Sequence, residues 1–75
     1  MTTITREQFN SMPQQNGGDL WNQYKLARLA FAKFKDAQKI TYSIGTGLWV
    51  DVSYQTKSGE TKTGTVYDSD DARVL

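Results

Sequence analysis

The feature that most constrains the fold is a change in the spacing of apolar residues near the middle of the chain. Before residue 39, apolar residues recur at intervals of three or four, at Leu20, Tyr24, Ala27, Phe31 and Phe34. Such intervals place side chains on one stripe of a helix. No Gly or Pro interrupts the stretch, so the pattern predicts one long amphipathic helix over residues 20–39.

After residue 39 the spacing changes to two, which is typical of strands with one buried face. The alternation predicts three strands, over residues 40–44, 48–56 and 61–67. Between the first two, Gly45-Thr46-Gly47 suits a three-residue hairpin loop, and Ser58-Gly59 suits a two-residue turn. We therefore expect a three-stranded antiparallel meander after the long helix.

The two turns imply a register for this meander. A turn at Ser58-Gly59 pairs strand residues as Tyr54 with Thr63, Val52 with Thr65 and Val50 with Tyr67. A loop at 45–47 pairs Ile44 with Leu48, Tyr42 with Val50 and Ile40 with Val52. This register collects the apolar residues on one face, which the helix would cover in a two-layer α+β domain.

The N-terminal residues predict a second, shorter helix. Thr5 and Gln8 have the spacing of a capping box, which predicts a helix over residues 6–12, and Pro13 ends it. Residues 13–18 are expected to form a linker, Asp19 to cap the long helix, and residues 68–75 to form an acidic tail. The expected order is α-α-β-β-β in a single domain over residues 1–75.

The composition argues against several kinds of chemistry. The chain has no Cys and no His, which removes disulfides and the commonest zinc ligands and general base. Gly45-Thr46-Gly47 lies between strands, whereas a phosphate-binding glycine loop leads into a helix. Asp68-Ser69-Asp70 lacks the downstream Gly and Glu of a calcium loop. We expect no catalytic residue, metal or cofactor, and hence no enzyme.

The sequence also gives expectations about location. No run of about 18 apolar residues is present, so no membrane span is expected. The N-terminus lacks the basic and apolar regions of a secretory signal. A cytoplasmic protein is therefore expected, in a bacterial host cell if a phage encodes it.

Two surfaces are candidate partner-binding sites. On the predicted long helix, one face carries an aromatic residue and four cations, Trp21, Lys25, Arg28, Lys35 and Lys39. On the sheet, Trp49 falls on the face that the helix does not cover, where an exposed Trp is typical of an interface anchor. The alternatives are an ordinary solvated face of basic residues, and coverage of the tryptophans by the ends of this chain.

These observations favour a small non-enzymatic binding protein. The leading hypothesis is an inhibitor of the phage or mobile-element type, for example an anti-CRISPR protein, that occludes a host or defence-complex protein. The resemblance is one of size and composition only. The alternative is a nucleic-acid-binding domain that uses the basic helix. A third hypothesis is self-association through the last strand; a monomer or weak homodimer is expected.

Overall fold

The computed structural model describes residues 1–14, 21–43 and 47–70. These residues form two α-helices, four β-strands and one short 3₁₀ helix. In chain order they are β1 (Thr2–Thr5), α1 (Arg6–Asn10), α2 (Gln23–Lys33), β2 (Ala37–Tyr42), β3 (Trp49–Thr56), β4 (Thr61–Tyr67) and a 3₁₀ helix (Asp68–Asp70). The α+β class is confirmed.

The sheet is antiparallel with strand order β1-β2-β3-β4, so the prediction of three strands was incomplete. The additional strand, β1, pairs with β2 and places Ile4 opposite Ile40. Its sequence, TTIT, contains one apolar residue among threonines, which are β-branched and suit strands. Ile4 is buried, and this single apolar contact fixes which face of β1 turns inward.

Helix α2 is shorter than predicted, and its start has a local cause. The side chain of Asn22 accepts a hydrogen bond of 2.7 Å from the backbone N–H of Lys25, which caps the first turn. The helix therefore begins at Gln23 instead of residue 20. The proposed cap Asp19 and most of the linker lie outside the described residues.

The end of α2 has a long-range cause. Arg6 lies in α1, and its guanidinium group donates hydrogen bonds to carbonyl oxygens at Phe31 (3.3 Å), Phe34 (3.4 Å), Lys35 (3.3 Å) and Ala37 (2.8 Å). It also lies 4.7 Å from the centre of the Phe31 ring. Phe31 lies in the last turn of α2, where carbonyl oxygens have no partner within the helix, and Arg6 supplies donors to that turn and to the segment that follows it. The helix consequently ends at Lys33 and not at residue 39.

The predicted capping box at the start of α1 is present. The backbone N–H of Gln8 donates to Thr5 Oγ1 at 3.0 Å, and the N–H of Thr5 donates to Gln8 Oε1 at 2.9 Å. Helix α1 spans Arg6–Asn10, which is shorter than the expected 6–12.

The hairpin between β3 and β4 differs from the prediction by one residue. The N–H of Thr56 donates to the carbonyl of Glu60 at 2.8 Å, which closes a three-residue loop instead of a two-residue turn. Gly59 has φ +92°, a conformation that glycine adopts without strain. The extra loop residue shifts the pairing, so Val50 lies opposite Val66 and Asp51 opposite Thr65. The predicted β3–β4 register was therefore wrong.

The pairing of β2 with β3 also differs from the prediction, but with less effect. Tyr42 lies opposite Val52 and Ile40 opposite Tyr54, a shift of two residues from the expected pairs. A shift of two leaves each side chain on its predicted face. Residues 44–46, which contain most of the proposed glycine loop and Ile44, lie outside the described residues.

The core lies between α2 and the inner face of the sheet. Leu26, Leu29, Ile40 and Val66 have no exposed surface. At Gly64 of β4, a Cβ atom would collide with the ring of Phe34. The absence of a side chain at Gly64 therefore makes room for this ring. The Phe34 ring stacks on Tyr54 with 4.4 Å between ring centres. This contact holds the end of α2 against β3 and β4.

Candidate functional site

The outer face of the sheet, which is the face opposite α2, is rich in hydroxyl groups. The strand register aligns one row across all four strands, made of Thr3, Thr41, Ser53 and Thr63. A shallow depression of about 710 Å³ lies along this face, lined in part by Thr41, Trp49, Asp51 and Ser53. The outer face can therefore offer many hydrogen-bonding groups to a ligand, beside one large aromatic side chain.

Trp49 and Tyr67 form an aromatic pair at one end of the outer face. They are directly opposite each other in the register of β3 and β4. The N–H of Asp68 donates to the carbonyl of Leu48 at 2.7 Å, which makes Trp49 and Tyr67 a pair without backbone hydrogen bonds between them. In such pairs the side chains are closest. Trp49 is 58% exposed and Tyr67 46% exposed, so both can contact another molecule.

Asp51 lies next to this aromatic pair on the same face. Its Oδ1 atom accepts a hydrogen bond of 2.9 Å from the hydroxyl of Thr65 on the opposite strand. Within the part of the chain that the structure describes, no cation pairs with Asp51. The carboxylate is thus oriented by its neighbour and remains open to a charged group from outside.

The predicted basic helical face is not assembled as a single surface. Trp21 precedes α2, is 6% exposed, and donates from Nε1 to the carbonyl of Gly47 at 3.0 Å, so it belongs to the core. Lys25 lies 5.3 Å from the centre of its ring and forms an ion pair of 2.5 Å with Asp68. The indole of Trp21 therefore contacts the Lys25 side chain and is too buried to contact a partner.

The remaining cations of that set lie on three different elements. Arg28 lies on α2, Lys35 in the segment that follows the helix, and Lys39 on β2. Lys39 pairs with Gln55 of β3, which places it on the outer face of the sheet, at the opposite end from Trp49. The prediction of one basic helical face was wrong because the helix ends at Lys33. Whether these residues bind a partner stays a prediction.

Two residues close to Trp49 were not predicted from the sequence to be candidate site residues. Tyr67 was expected on the inner face and lies on the outer one. The three-residue loop shifts the pairing of β4 by one residue, which exchanges the two faces of that strand. Leu48, expected to pair inside the sheet, is 62% exposed. The alternation in WVDVSY did indicate the outward direction of Trp49 and Asp51.

The open edge of β4 is partly capped by two side chains. The alternation of hydrogen bonds with β3 turns the backbone groups of Thr61, Thr63, Thr65 and Tyr67 toward this edge. Lys33 Nζ donates to the carbonyl of Thr65 at 2.6 Å, and Asp70 Oδ2 accepts from the N–H of Tyr67 at 2.8 Å. Two backbone groups at the Thr65–Tyr67 end of the edge are therefore bonded from within the chain, which hinders pairing of that end with another strand.

Residues 1–14, 21–43 and 47–70 contain no group of three or more His, Cys, Asp or Glu placed to hold a metal ion. Among the described helices, none has the length and apolar character needed to cross a membrane. Comparisons with protein-family models, with curated proteins and with solved structures give no match.

Proposed function

We propose that this chain is a non-enzymatic binding protein that captures a protein partner through the outer face of its sheet, with Trp49 as the anchor. The supporting observation is the 58% exposure of Trp49 beside the half-exposed Tyr67. Trp and Tyr are enriched among the residues that contribute most to protein interfaces, because each buries a large rigid surface on binding.

The proposed mode of action is steric occlusion. A chain of 75 residues that docks one face would cover a functional surface of its target without any chemical step. The proposed partner is a host or defence-complex protein, and the proposed class is an inhibitor of the phage or mobile-element type, of which anti-CRISPR proteins are examples. The support for this class is small size and near-neutral composition.

Nucleic-acid binding is the second candidate, and one observation favours it. Exposed aromatic residues on a four-stranded antiparallel sheet can stack on unpaired bases. Phosphates also require cations, however, and Lys25 and Lys33 are ion-paired with Asp68 and Asp70. The carboxylate of Asp51, which pairs with no cation among the described residues, lies beside the aromatic pair and would repel a phosphate. Protein binding is therefore preferred.

The test is affinity capture from a bacterial lysate followed by mass spectrometry, with wild-type protein, Trp49→Ala and the exposed control Glu7→Ala. We expect some lysate proteins to bind to wild type and to Glu7→Ala but not to Trp49→Ala. All three variants should keep the same thermal unfolding transition. Equal capture by Trp49→Ala would contradict the proposed anchor. Unfolding of Trp49→Ala would show that the residue belongs to the core instead.

Nucleic-acid binding is tested by a separate titration. Fluorescence anisotropy with single-stranded and duplex DNA over a range of salt concentrations separates the two candidates, because phosphate binding weakens steeply with salt. Micromolar affinity with a steep salt dependence would favour the second candidate over the first.

A further inference from the structure

Trp49 and Asp51 together form a site with both an aromatic surface and a negative charge. They are two residues apart on β3, so both point to the outer face. At about 3.3 Å per residue, their Cα atoms are about 7 Å apart. Both line the depression on that face. A single planar cation could therefore touch the ring and the carboxylate at once.

Asp51 differs from the other aspartates that the structure describes. Asp36 pairs with Lys62, Asp68 with Lys25 and Asp70 with Lys33. Asp51 is exposed and accepts its hydrogen bond of 2.9 Å from the neutral hydroxyl of Thr65, which holds the carboxylate in place without neutralising it. A positive charge from another molecule would complement it.

We propose that the partner contributes an arginine whose guanidinium group stacks on Trp49 and donates hydrogen bonds to the carboxylate of Asp51. This inference rests on the proposed function, since it names the chemistry of the partner at the same face. A guanidinium group is planar, stacks on aromatic rings, and donates two parallel hydrogen bonds to a carboxylate. A lysine ammonium group is a point charge and cannot do all three.

The probe is a short neutral-ended peptide, acetyl-Gly-Arg-Gly-amide, titrated into ¹⁵N-labelled protein and followed by NMR. The matched peptide carries Lys in place of Arg. We expect saturable shifts of the Trp49 indole N–H and of the Thr65 amide, with a dissociation constant in the millimolar range for a contact of one residue. The lysine peptide should bind at least threefold more weakly. Absence of saturable shifts, or equal affinity of the two peptides, would overturn the inference.

Two variants and a matched control assign the contact. Asp51→Asn should reduce affinity for the arginine peptide at least fivefold, and Trp49→Leu should do the same while keeping an apolar side chain. Glu60→Gln removes the same charge from the exposed end of the β3–β4 hairpin and should leave affinity unchanged. If Glu60→Gln weakens binding as much as Asp51→Asn, the effect is general electrostatics and the site is wrong.

The experiment also separates this inference from the proposed function. If Trp49→Ala loses its lysate partner but the arginine peptide does not bind wild type, the interface stands and the arginine is wrong. If a short single-stranded oligothymidylate shifts the Trp49 signal and the arginine peptide does not, the face binds bases and both proposals fail.

Discussion

The Nζ atom of Lys33 lies 3.1 Å from Oδ2 of Asp70, and each residue also bonds to the open edge of β4. The Asp70 side chain is 6% exposed, whereas that of Lys33 is 34% exposed. The pair therefore links the end of α2, the last strand and the 3₁₀ helix. It also uses two backbone groups that a second chain would need for strand pairing.

Asp70→Ala should lower the free energy of unfolding by about 2 kcal/mol, because it leaves the N–H of Tyr67 without its acceptor and Lys33 without its partner. Denaturant unfolding measures this. Lys62→Ala removes a solvent-exposed ion pair with Asp36 and should have a much smaller effect.

The contacts of Lys33 and Asp70 with the edge of β4 also predict an effect on self-association. Lys33→Met uncovers the carbonyl of Thr65 and should raise self-association at high concentration, which light scattering on the folded protein would detect. A Lys33→Met protein that stays as monomeric as wild type would show that the Lys33–Asp70 pair does not prevent strand pairing at the open edge of β4.

Gly64→Ala should lower the free energy of unfolding by about 1–3 kcal/mol, since the new methyl group would collide with the Phe34 ring. Adding Phe34→Leu should recover part of that loss, because the smaller side chain makes room. Gly59→Ala is the matched control: its cost of about 1 kcal/mol comes from the positive φ of +92°, with no atom near the new Cβ. Phe34→Leu should not rescue it, and rescue there would contradict the steric explanation.

Tyr42 predicts a loss of stability at alkaline pH. Burial raises the pKa of the Tyr42 hydroxyl above its ordinary value of 10.0. Above pH 10 the unfolded chain releases this proton while the folded chain keeps it, so stability present below pH 10 falls as pH rises, by up to about 1.4 kcal/mol per pH unit. The measurement is denaturant unfolding of wild type and Tyr42→Phe between pH 8 and 11, with the difference taken at each pH.

The same variant tests the buried hydroxyl at neutral pH. Tyr42 Oη is buried and has no hydrogen-bond partner among the described residues. Tyr42→Phe should therefore raise the free energy of unfolding by roughly 1 kcal/mol. Parallel pH curves for the two proteins, or a less stable Tyr42→Phe, would contradict this reading.

Local chemistry in the sequence predicted local structure well. The capping box of Thr5 and Gln8 and the alternation in β3 depend on neighbours a few residues apart, and both are visible in the chain. The C-terminal end of α2 was not predictable in the same way. Its last turn is determined by Arg6, which lies 25 residues before Phe31 in the chain.

The candidate site shows the same division. The outward direction of Trp49 and Asp51 follows from alternation within one strand, so the sequence was sufficient for it. The presence of Tyr67 beside Trp49 depends on the number of residues in the hairpin loop, and Ser58-Gly59 was equally compatible with two or three. The prediction of a basic helical face was wrong because the predicted helix was extended beyond Lys33, where no Gly or Pro follows to mark the end of the helix.

The three-residue loop at Lys57-Ser58-Gly59 connects two strands whose lengths are constrained in a way that the loop is not. Surface loops accept insertions, and a residue added to this loop can be taken up without changing the strand pairing. Adding or removing one residue in β4 between the loop and Val66 would instead turn Val66 outward and carry Tyr67 to the helical side, exchanging the two faces of β4. Length changes within this strand that preserve the binding face should therefore occur in steps of two. A peptide grafted into this hairpin belongs in the loop and not in the strand.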